Sequence, residues 1–256
     1  MHKLIITMCG TSALFEHSNW RDGSSGRHWD EPEDLIRELE NEAKNKKSTE
    51  YNHQKGQIIN NLTQNLNRYY ENDEKGLATL SAEIASLLAM EKDTDIGKIT
   101  DGDKMITDGD KIMLLYSDTR DGSLCAEANK KLMKNDKLNW DTEIFKIEGL
   151  QPKDAAKFVE TGLNNLLKKI KELKDSHSNY QIFINITGGY KGAIPVLSRA
   201  AIDLKIPLVY FFENCNEIIR MDISGESPSI FTTNVPIGQT KEISMDVWAN
   251  IRSYES

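Results

Sequence analysis

The residues best suited to bind a ligand in this chain are Thr187 to Gly192, which read T-G-G-Y-K-G. Glycines allow a backbone to turn sharply and to bring its N–H groups close to a ligand. Lys191 adds a positive charge to the same turn. The spacing fits neither the Walker phosphate loop nor the dinucleotide fingerprint. The composition predicts an anion-binding turn, with a plain strand-to-helix turn and a solvated lysine as the alternative.

The residues on either side of this turn predict the elements that position it. The run from Ile182 to Ile186 is apolar except at Asn185, which is typical of a central strand buried on both faces of a parallel sheet. From Ala193 to Leu204 apolar residues recur at helical spacing, and Pro195 suits a first helical turn. We therefore expect the unpaired N–H groups of a helix to face the ligand.

Two other predicted strands end in polar, glycine-bearing turns. The strand from Leu4 to Cys9 ends in Gly10, Thr11 and Ser12, a turn that could meet a phosphate or ribose or only cap the next helix. The strand from Lys111 to Tyr116 ends in S-D-T-R-D-G. In an open parallel sheet the ligand crevice lies outside the carboxyl ends of the strands, so we expect the three turns to converge. The predicted ligand-binding residues are Gly10, Thr11, Ser12, Ser117, Asp118, Thr119, Arg120, Thr187, Gly188, Gly189, Tyr190, Lys191 and Gly192.

The remaining periodicity predicts an α/β protein with a Rossmann-like, mostly parallel sheet flanked by helices. Two strands, Leu208 to Phe212 and Glu217 to Ile223, are separated by a short connection containing asparagine, which predicts an antiparallel hairpin at one sheet edge. Further helices are expected around 58–70, 77–88, 124–133 and 152–173, with a strand at 143–147. On the 152–173 helix the residues expected to face the core are Ala155, Val159, Leu163, Leu166, Ile170 and Leu173.

Composition limits the classes of function. The net charge of −8 argues against a sequence-independent grip on long nucleic acid, which needs a basic surface. The three cysteines, Cys9, Cys125 and Cys215, are far apart, so neither a disulfide framework nor a metal site is indicated, and no cofactor is expected. No secretory segment and no membrane-length apolar run is visible, so we expect a cytoplasmic protein without membrane contact.

Three motifs together resemble the CRISPR-associated Rossmann fold (CARF) family. They are the strand ending in Gly10-Thr11-Ser12, the L-L-Y-S-D-T-R-D-G of 114–122 and the N-I-T-G-G-Y-K-G-A-I-P of 185–195, the most specific of the three. The segment Leu80 to Ile84 also resembles the family, and the likeness covers roughly residues 1–225. It implies a homodimer with a symmetric pocket for cyclic oligoadenylate, the second messenger of type III CRISPR antiviral defence. Cyclic tetra-adenylate is the expected ligand, although the sequence does not fix the ring size.

The resemblance also implies candidate catalytic residues. Some CARF proteins only sense the messenger, whereas ring nucleases cleave it; Ser12 and Lys191 fall on positions that act in metal-independent cleavage, leaving a 2′,3′-cyclic phosphate. Arg120 is added here as the only cation of the second turn. None of the five histidines lies in the three turns, so an imidazole base is not suggested. A ring nuclease is the leading hypothesis; a sensor module and a metabolic nucleotide-binding protein are the alternatives.

The expected domain organisation is a CARF domain over 1–225 and an extension over 226–256 that forms a linker or a dimer element. A polar stretch at about 16–55 is expected to form an insertion or lid. No segment of nuclease size follows residue 225 and the R-x-x-x-x-H motif of the family's attached ribonucleases is missing, which favours a stand-alone enzyme. A fragment of a larger effector would look the same.

Overall fold

The strands of the protein form one sheet in the order β3-β2-β1-β4-β5-β6-β7. The computed structural model describes residues 1–15, 49–71, 79–92, 106, 108–151, 153–212, 217–222 and 229–232. Strands β1 to β5 run parallel, whereas β6 and β7 are antiparallel to their neighbours. The strands are β1 Lys3–Cys9, β2 Lys111–Ser117, β3 Asp141–Ile147, β4 Gln181–Asn185, β5 Leu208–Phe212, β6 Glu217–Asp222 and β7 Ser229–Thr232. The predicted mostly parallel α/β fold and its antiparallel β5–β6 edge are confirmed.

Helices cover both faces of this sheet. They are α1 Ser12–Phe15, α2 Thr49–Tyr70, α3 Ala82–Lys92, α4 Arg120–Met133, α5 155–176 and α6 Ile194–Leu204. Helix α5 consists of Ala155–Lys157, a π-helical turn Phe158–Leu163 and Asn164–Ser176. A 3₁₀ turn, Lys191–Ala193, leads into α6. Helices α2, α3 and α4 pack on the face that carries Ile5 and Phe183, and α5 and α6 pack on the face that carries Leu4 and Ile184. All seven residues of β1 are buried, as a strand between two helical layers requires.

The strand order has a topological switch point between β1 and β4. The chain moves from β1 outwards through β2 to β3, then crosses to the other side of β1 to form β4 and β5. The connections leave β1 and β4 in opposite directions, which opens a crevice at their carboxyl ends. The Gly10–Ser12 and Thr187–Gly192 turns lie at this point of the sheet.

The sequence-based face of α5 is wrong at its beginning. Leu166, Ile170 and Leu173 are buried as predicted, but Ala155 is exposed and Val159 is 57% exposed. The π-helical turn Phe158–Leu163 contains an extra residue, which rotates the preceding residues about the helix axis and brings Gly162 inward in place of Val159. A Cβ atom on Gly162 would lie 2.6 Å from the Gly149 carbonyl oxygen, so glycine permits this close contact.

Several predictions concern residues outside the described part of the chain. They include most of the 16–55 insertion, the 213–216 connection and the 226–256 extension apart from β7. Residues 49–55 belong to α2, and β7 pairs with β6 beyond the expected boundary at 225. No helix among the described residues is both long and apolar enough to span a membrane.

Candidate ligand site at the carboxyl ends of β1 and β4

The turns after β1 and β4 meet through glycine backbone. A Cβ atom on Gly10 would lie 2.8 Å from the Gly189 nitrogen, and one on Gly188 would overlap both Glu83 Oε1 and the Met8 carbonyl oxygen. Gly189 has φ +87, a conformation that side chains rarely adopt. Two of the three predicted turns are therefore packed together, and glycine is required for this contact at both.

A buried carboxylate, Glu83, lies beneath these turns. It belongs to the first turn of α3 and is fully shielded from solvent. Its Oε1 accepts a hydrogen bond of 2.7 Å from the Gly10 N–H, and its Oε2 accepts one of 3.0 Å from the Ser12 hydroxyl and one of 3.3 Å from the Asn129 amide. Three donors and the positive end of α3 offset the cost of burying the charge.

The hydroxyl of Ser12 is fixed by this carboxylate and by α3. Besides donating to Glu83, Ser12 Oγ accepts a hydrogen bond of 3.1 Å from the backbone N–H of Ala82. Ser12 is only partly buried, so this residue lies at the boundary between the buried network and the open carboxyl end of the sheet. Its orientation in the free protein is set by two contacts from an element about seventy residues away in the chain.

A second ring of polar groups surrounds Glu83. The Ser81 hydroxyl donates to Asn129 Oδ1 at 2.8 Å, and the Asn129 amide lies 3.6 Å from Cys9 Sγ. Burial, and then the charge of Glu83, raises the pKa of the Cys9 thiol well above its ordinary value. Cys9 is therefore a protonated core thiol, and Asn129 links β1, α3 and α4.

The turn after β4 is open at its helical end. Neither the 3₁₀ turn Lys191–Ala193 nor α6 has a side-chain cap, and Lys191 and Gly192 are exposed. Tyr190 is half-buried and packs edge-on against Phe158, with ring centroids 6.1 Å apart. The unpaired N–H groups expected at the helix start are not found at Ala193 and Ile194, because these bond to the carbonyl oxygens of Tyr190 and Lys191. This end of the turn can present the N–H groups of Lys191 and Gly192, a cation and an aromatic ring to a ligand.

Thr187 has a different environment from the rest of its turn. Its hydroxyl donates to Asn185 Oδ1 at 2.7 Å and accepts from the Phe211 N–H at 2.8 Å. These two bonds tie the end of β4 to β5. The side chain of Thr187 is therefore committed to the sheet, and the turn's open groups begin beyond it.

The turn after β2 is closed by its own side chains. Thr119 caps α4 by accepting a hydrogen bond of 3.0 Å from the Gly122 N–H, and its hydroxyl lies 2.9 Å from that of Ser117. Asp118 forms an ion pair of 3.2 Å with Lys146 and accepts from the Gly149 N–H at 3.2 Å. Burial raises the pKa of Asp118, but these contacts outweigh burial and the net result lies below its ordinary value.

Arg120, the cation predicted in this turn, points toward α2. Its guanidinium donates to Gln54 Oε1 at 2.6 Å and lies 5.9 Å from the centre of the Tyr51 ring. Its neighbour Asp121 lies 3.6 Å from the Arg120 guanidinium. Burial, and then the Asp121 charge, raises the pKa of Tyr190 in the turn after β4. The turn after β2 thus lies within electrostatic reach of the turn after β4, while the exposed cation of the predicted set is Lys191.

Sequence reasoning missed Glu83 and Asn129. The L-S-A-E-I segment is part of the resemblance to the CARF family, but the sequence does not indicate which residues its carboxylate contacts. A carboxylate in a first helical turn is common on exposed helices, so only its burial marks it out. Among the described residues, no three His, Cys, Asp or Glu side chains lie close enough together to hold a metal ion.

The strand order and the glycine turns at the switch point define a Rossmann-like α/β protein. Residues 78–223 match the family model described as CRISPR-associated protein (Cas_APE2256), and this match covers more than half of the chain. The chain therefore belongs to this family of CRISPR-associated proteins. The match includes Glu83, Asn129 and the turns after β2 and β4, whereas Gly10–Ser12 precede it. A comparison with curated proteins gave no match.

Proposed function

We propose that this chain binds cyclic oligoadenylate, with cyclic tetra-adenylate as the expected ring, and cleaves it without metal to linear products that carry a 2′,3′-cyclic phosphate. The carrying observation is the pairing of an exposed Lys191 beside an uncapped helix start with a fixed Ser12 hydroxyl on the neighbouring turn. Membership of a CRISPR-associated family supports a place in CRISPR defence, here the removal of a type III signal.

The proposed reaction needs positioning and charge stabilisation only. The ribose 2′-oxygen forms a bond to the adjacent phosphorus while the bond from phosphorus to the 5′-oxygen breaks. The 2′-hydroxyl loses its proton, the 5′-oxygen gains one, and no electrons are exchanged with a cofactor. The Lys191 side chain and the backbone N–H groups of Lys191 and Gly192 would stabilise charge on the phosphoryl oxygens, and Ser12 would hold the attacking hydroxyl in line.

The proposal includes a homodimer because a ring of nucleotides is larger than one Rossmann crevice. A two-fold axis beside the β1 and β4 turns would present Lys191 and Ser12 twice to a symmetric ligand. The alternative within the same family is a sensor that uses this pocket for binding alone and passes the signal to an effector. The ring nuclease and the sensor both require the pocket, but only the ring nuclease cleaves the bound ring.

The deciding experiment is incubation of the purified protein with cyclic tetra-adenylate and, separately, cyclic hexa-adenylate in EDTA, followed by separation of the products. Conversion to linear products ending in 2′,3′-cyclic phosphate supports the ring nuclease. Tight binding without conversion would favour the sensor. Failure to bind or convert either ring would reject the proposed function.

Two further measurements test the assembly and the choice of ligand. Light scattering at micromolar concentration should give a dimer, and a monomer with and without ligand would contradict the shared pocket. A generic single-stranded RNA should compete poorly, because the net charge of −8 disfavours long polyanions. Equal affinity for RNA with steep salt dependence would contradict a site built for a small ring.

A further inference from the structure

The hydrogen-bonding capacity of Ser12 is almost fully used in the free protein. A serine hydroxyl has one hydrogen to donate and two lone pairs to accept with. The hydrogen is committed to Glu83 Oε2, since a carboxylate can only accept, and one lone pair is committed to the Ala82 N–H. What remains for a ligand is one lone pair, so Ser12 can accept a hydrogen bond but has none to donate.

We propose that Glu83 is a positioning residue that fixes Ser12 as a hydrogen-bond acceptor for a ribose 2′-hydroxyl of the ligand. This inference rests on the proposed function and deepens it by assigning the direction of the bond. A phosphate oxygen offers no hydrogen to such an acceptor, whereas a 2′-hydroxyl does. Ser12 therefore binds the ribose 2′-hydroxyl, and Lys191 on the adjoining turn binds the phosphate.

Glu83 is held rigidly enough to fulfil this role. Its Oε1 is occupied by the Gly10 N–H at 2.7 Å, which leaves Oε2 facing Ser12 and Asn129. Gly188 packs against the same carboxylate so closely that no Cβ atom fits between them. A shift of Glu83 would thus disturb both glycine turns. The Glu83 carboxylate therefore links the orientation of the Ser12 hydroxyl to the packing of the two glycine turns that follow β1 and β4.

The same contacts predict how an isosteric neutral side chain would act. The backbone N–H of Gly10 cannot reorient, whereas the Ser12 hydroxyl and the Asn129 amide can rotate. In Glu83→Gln the amide oxygen therefore faces Gly10, the amide nitrogen takes the place of Oε2 beside Ser12, and the Asn129 amide loses its acceptor. Ser12 Oγ then accepts from both Gln and Ala82, and its hydrogen turns outward. The substitution inverts the polarity of the hydroxyl without removing it, which a purely structural account of Glu83 does not predict.

The first test measures dissociation constants and single-turnover rates for wild type, Ser12→Ala, Glu83→Gln and the double variant with cyclic tetra-adenylate. We expect each single variant to cleave ~10- to 100-fold more slowly with less than about a threefold change in affinity, and the double variant to be no slower than Ser12→Ala. Rates that multiply in the double variant, or wild-type cleavage by Glu83→Gln, would overturn the proposal. Urea unfolding of each variant supplies the folded fraction.

The second test leaves Glu83 intact and changes the ligand. A cyclic tetra-adenylate with 2′-deoxyribose at the reacting positions cannot donate to Ser12, so wild type should bind it about two- to threefold more weakly than the ribose ring, the same loss that Ser12→Ala is expected to show with the ribose ring. Ser12→Ala should bind the two rings equally. If Ser12→Ala kept the full preference for the ribose ring, another residue would bind the 2′-hydroxyl and the proposal would be wrong.

The third test needs no ligand and so separates this inference from the proposed function. In a Cys215→Ser background we would introduce Ser12→Cys and measure iodoacetamide alkylation of the new thiol against pH, with and without Glu83→Gln. A thiol beside a carboxylate is harder to ionise, so removal of the charge should shift the alkylation midpoint to lower pH, with about 3- to 10-fold faster reaction at pH 8. Identical profiles would overturn the Glu83–Ser12 coupling, even if the ring is cleaved. A shifted profile in a protein that binds no ring would support the coupling and reject the function.

Discussion

Two turns at the carboxyl end of the sheet have similar compositions but different roles. They are the β2–α4 turn (Ser117–Gly122) and the β4–α6 turn (Thr187–Gly192). Both follow a buried strand and contain hydroxyls, glycine and one cation. In the β2–α4 turn Thr119 caps the helix, and Arg120 bonds to Gln54. In the β4–α6 turn the helix start has no side-chain cap and Lys191 is exposed.

The difference shows that a polar turn becomes available to a ligand only when its own fold leaves its groups unused. Hydroxyls, carboxylates and guanidinium groups of the β2–α4 turn are consumed by helix capping and by contacts to α2 and β3. Those contacts stabilise the protein, so we expect mutations there to change the free energy of unfolding. The open half of the β4–α6 turn adds little to stability, and we expect mutations of its exposed cation to change ligand binding.

The largest expected effect is on stability, from Gly188→Ala in the buried half of the β4–α6 turn. Its Cβ atom would overlap Glu83 Oε1 and the Met8 carbonyl oxygen, so the turn or α3 must move. We expect a loss of about 2–4 kcal/mol in the free energy of unfolding, measured with urea. Gly192→Ala is the matched control, because its Cβ atom would lie 3.5 Å from the Phe158 ring, an ordinary contact. A loss in the control as large as that of Gly188→Ala would remove the distinction between the two halves.

The next effect concerns binding, through Lys191→Ala. Removing an exposed charge that meets a phosphate should weaken cyclic tetra-adenylate binding by ~10- to 100-fold and slow single-turnover cleavage further, because the phosphoryl oxygens gain charge in the transition state. The free energy of unfolding should stay within about 0.5 kcal/mol of wild type. Lys205→Ala, an exposed lysine at the far end of α6, is the control. An equal loss of binding in that control would mean that only overall charge matters.

A smaller effect is expected in the β2–α4 turn, from Thr119→Ala. Loss of the N-cap should cost about 1 kcal/mol of unfolding free energy, and Thr119→Ser should recover most of it because the oxygen that accepts from Gly122 is kept. Ligand affinity, measured by calorimetry, should change less than about twofold. If Thr119→Ala weakened binding as much as Lys191→Ala, the β2–α4 turn would be part of the contact surface and the comparison would fail.

The smallest effect is a pH-dependent one at Asp118. Its pKa in the folded protein is lowered below the ordinary value of 3.8, so its contribution to stability is present above about pH 4 and is lost as the pH falls through the folded-state pKa. Asp118→Asn should therefore destabilise the protein by less than about 1 kcal/mol at pH 7, and the deficit should shrink at pH 3. Urea unfolding at both pH values checks this, and a deficit that grows on acidification would contradict it.

Much of the fold could be predicted because its signals are local. Strand β4 and helix α6 follow from an apolar run and a helical repeat on either side of one glycine turn. Strands β1, β2 and β5 were likewise visible as apolar runs, whereas β3 is a partly exposed strand of which only 143–147 was predicted. The prediction failed at the start of α5, where a π-helical turn changes the phase of the helix. Such a turn depends on the close contact of Gly162 with Gly149 across the fold, which spacing along the helix does not reveal.

The three turns that follow buried strands can be identified from the sequence, because burial on both faces of a parallel sheet leaves a continuous apolar run in the chain. Which groups in those turns are available to a ligand depends on the tertiary structure. Glu83 reaches Gly10 and Ser12 because α3 packs on β1, and Arg120 is turned toward α2 by Gln54. Hydrogen-bond partners of this kind are far apart in the chain, and they are chosen by packing in three dimensions, so residue types alone do not specify them.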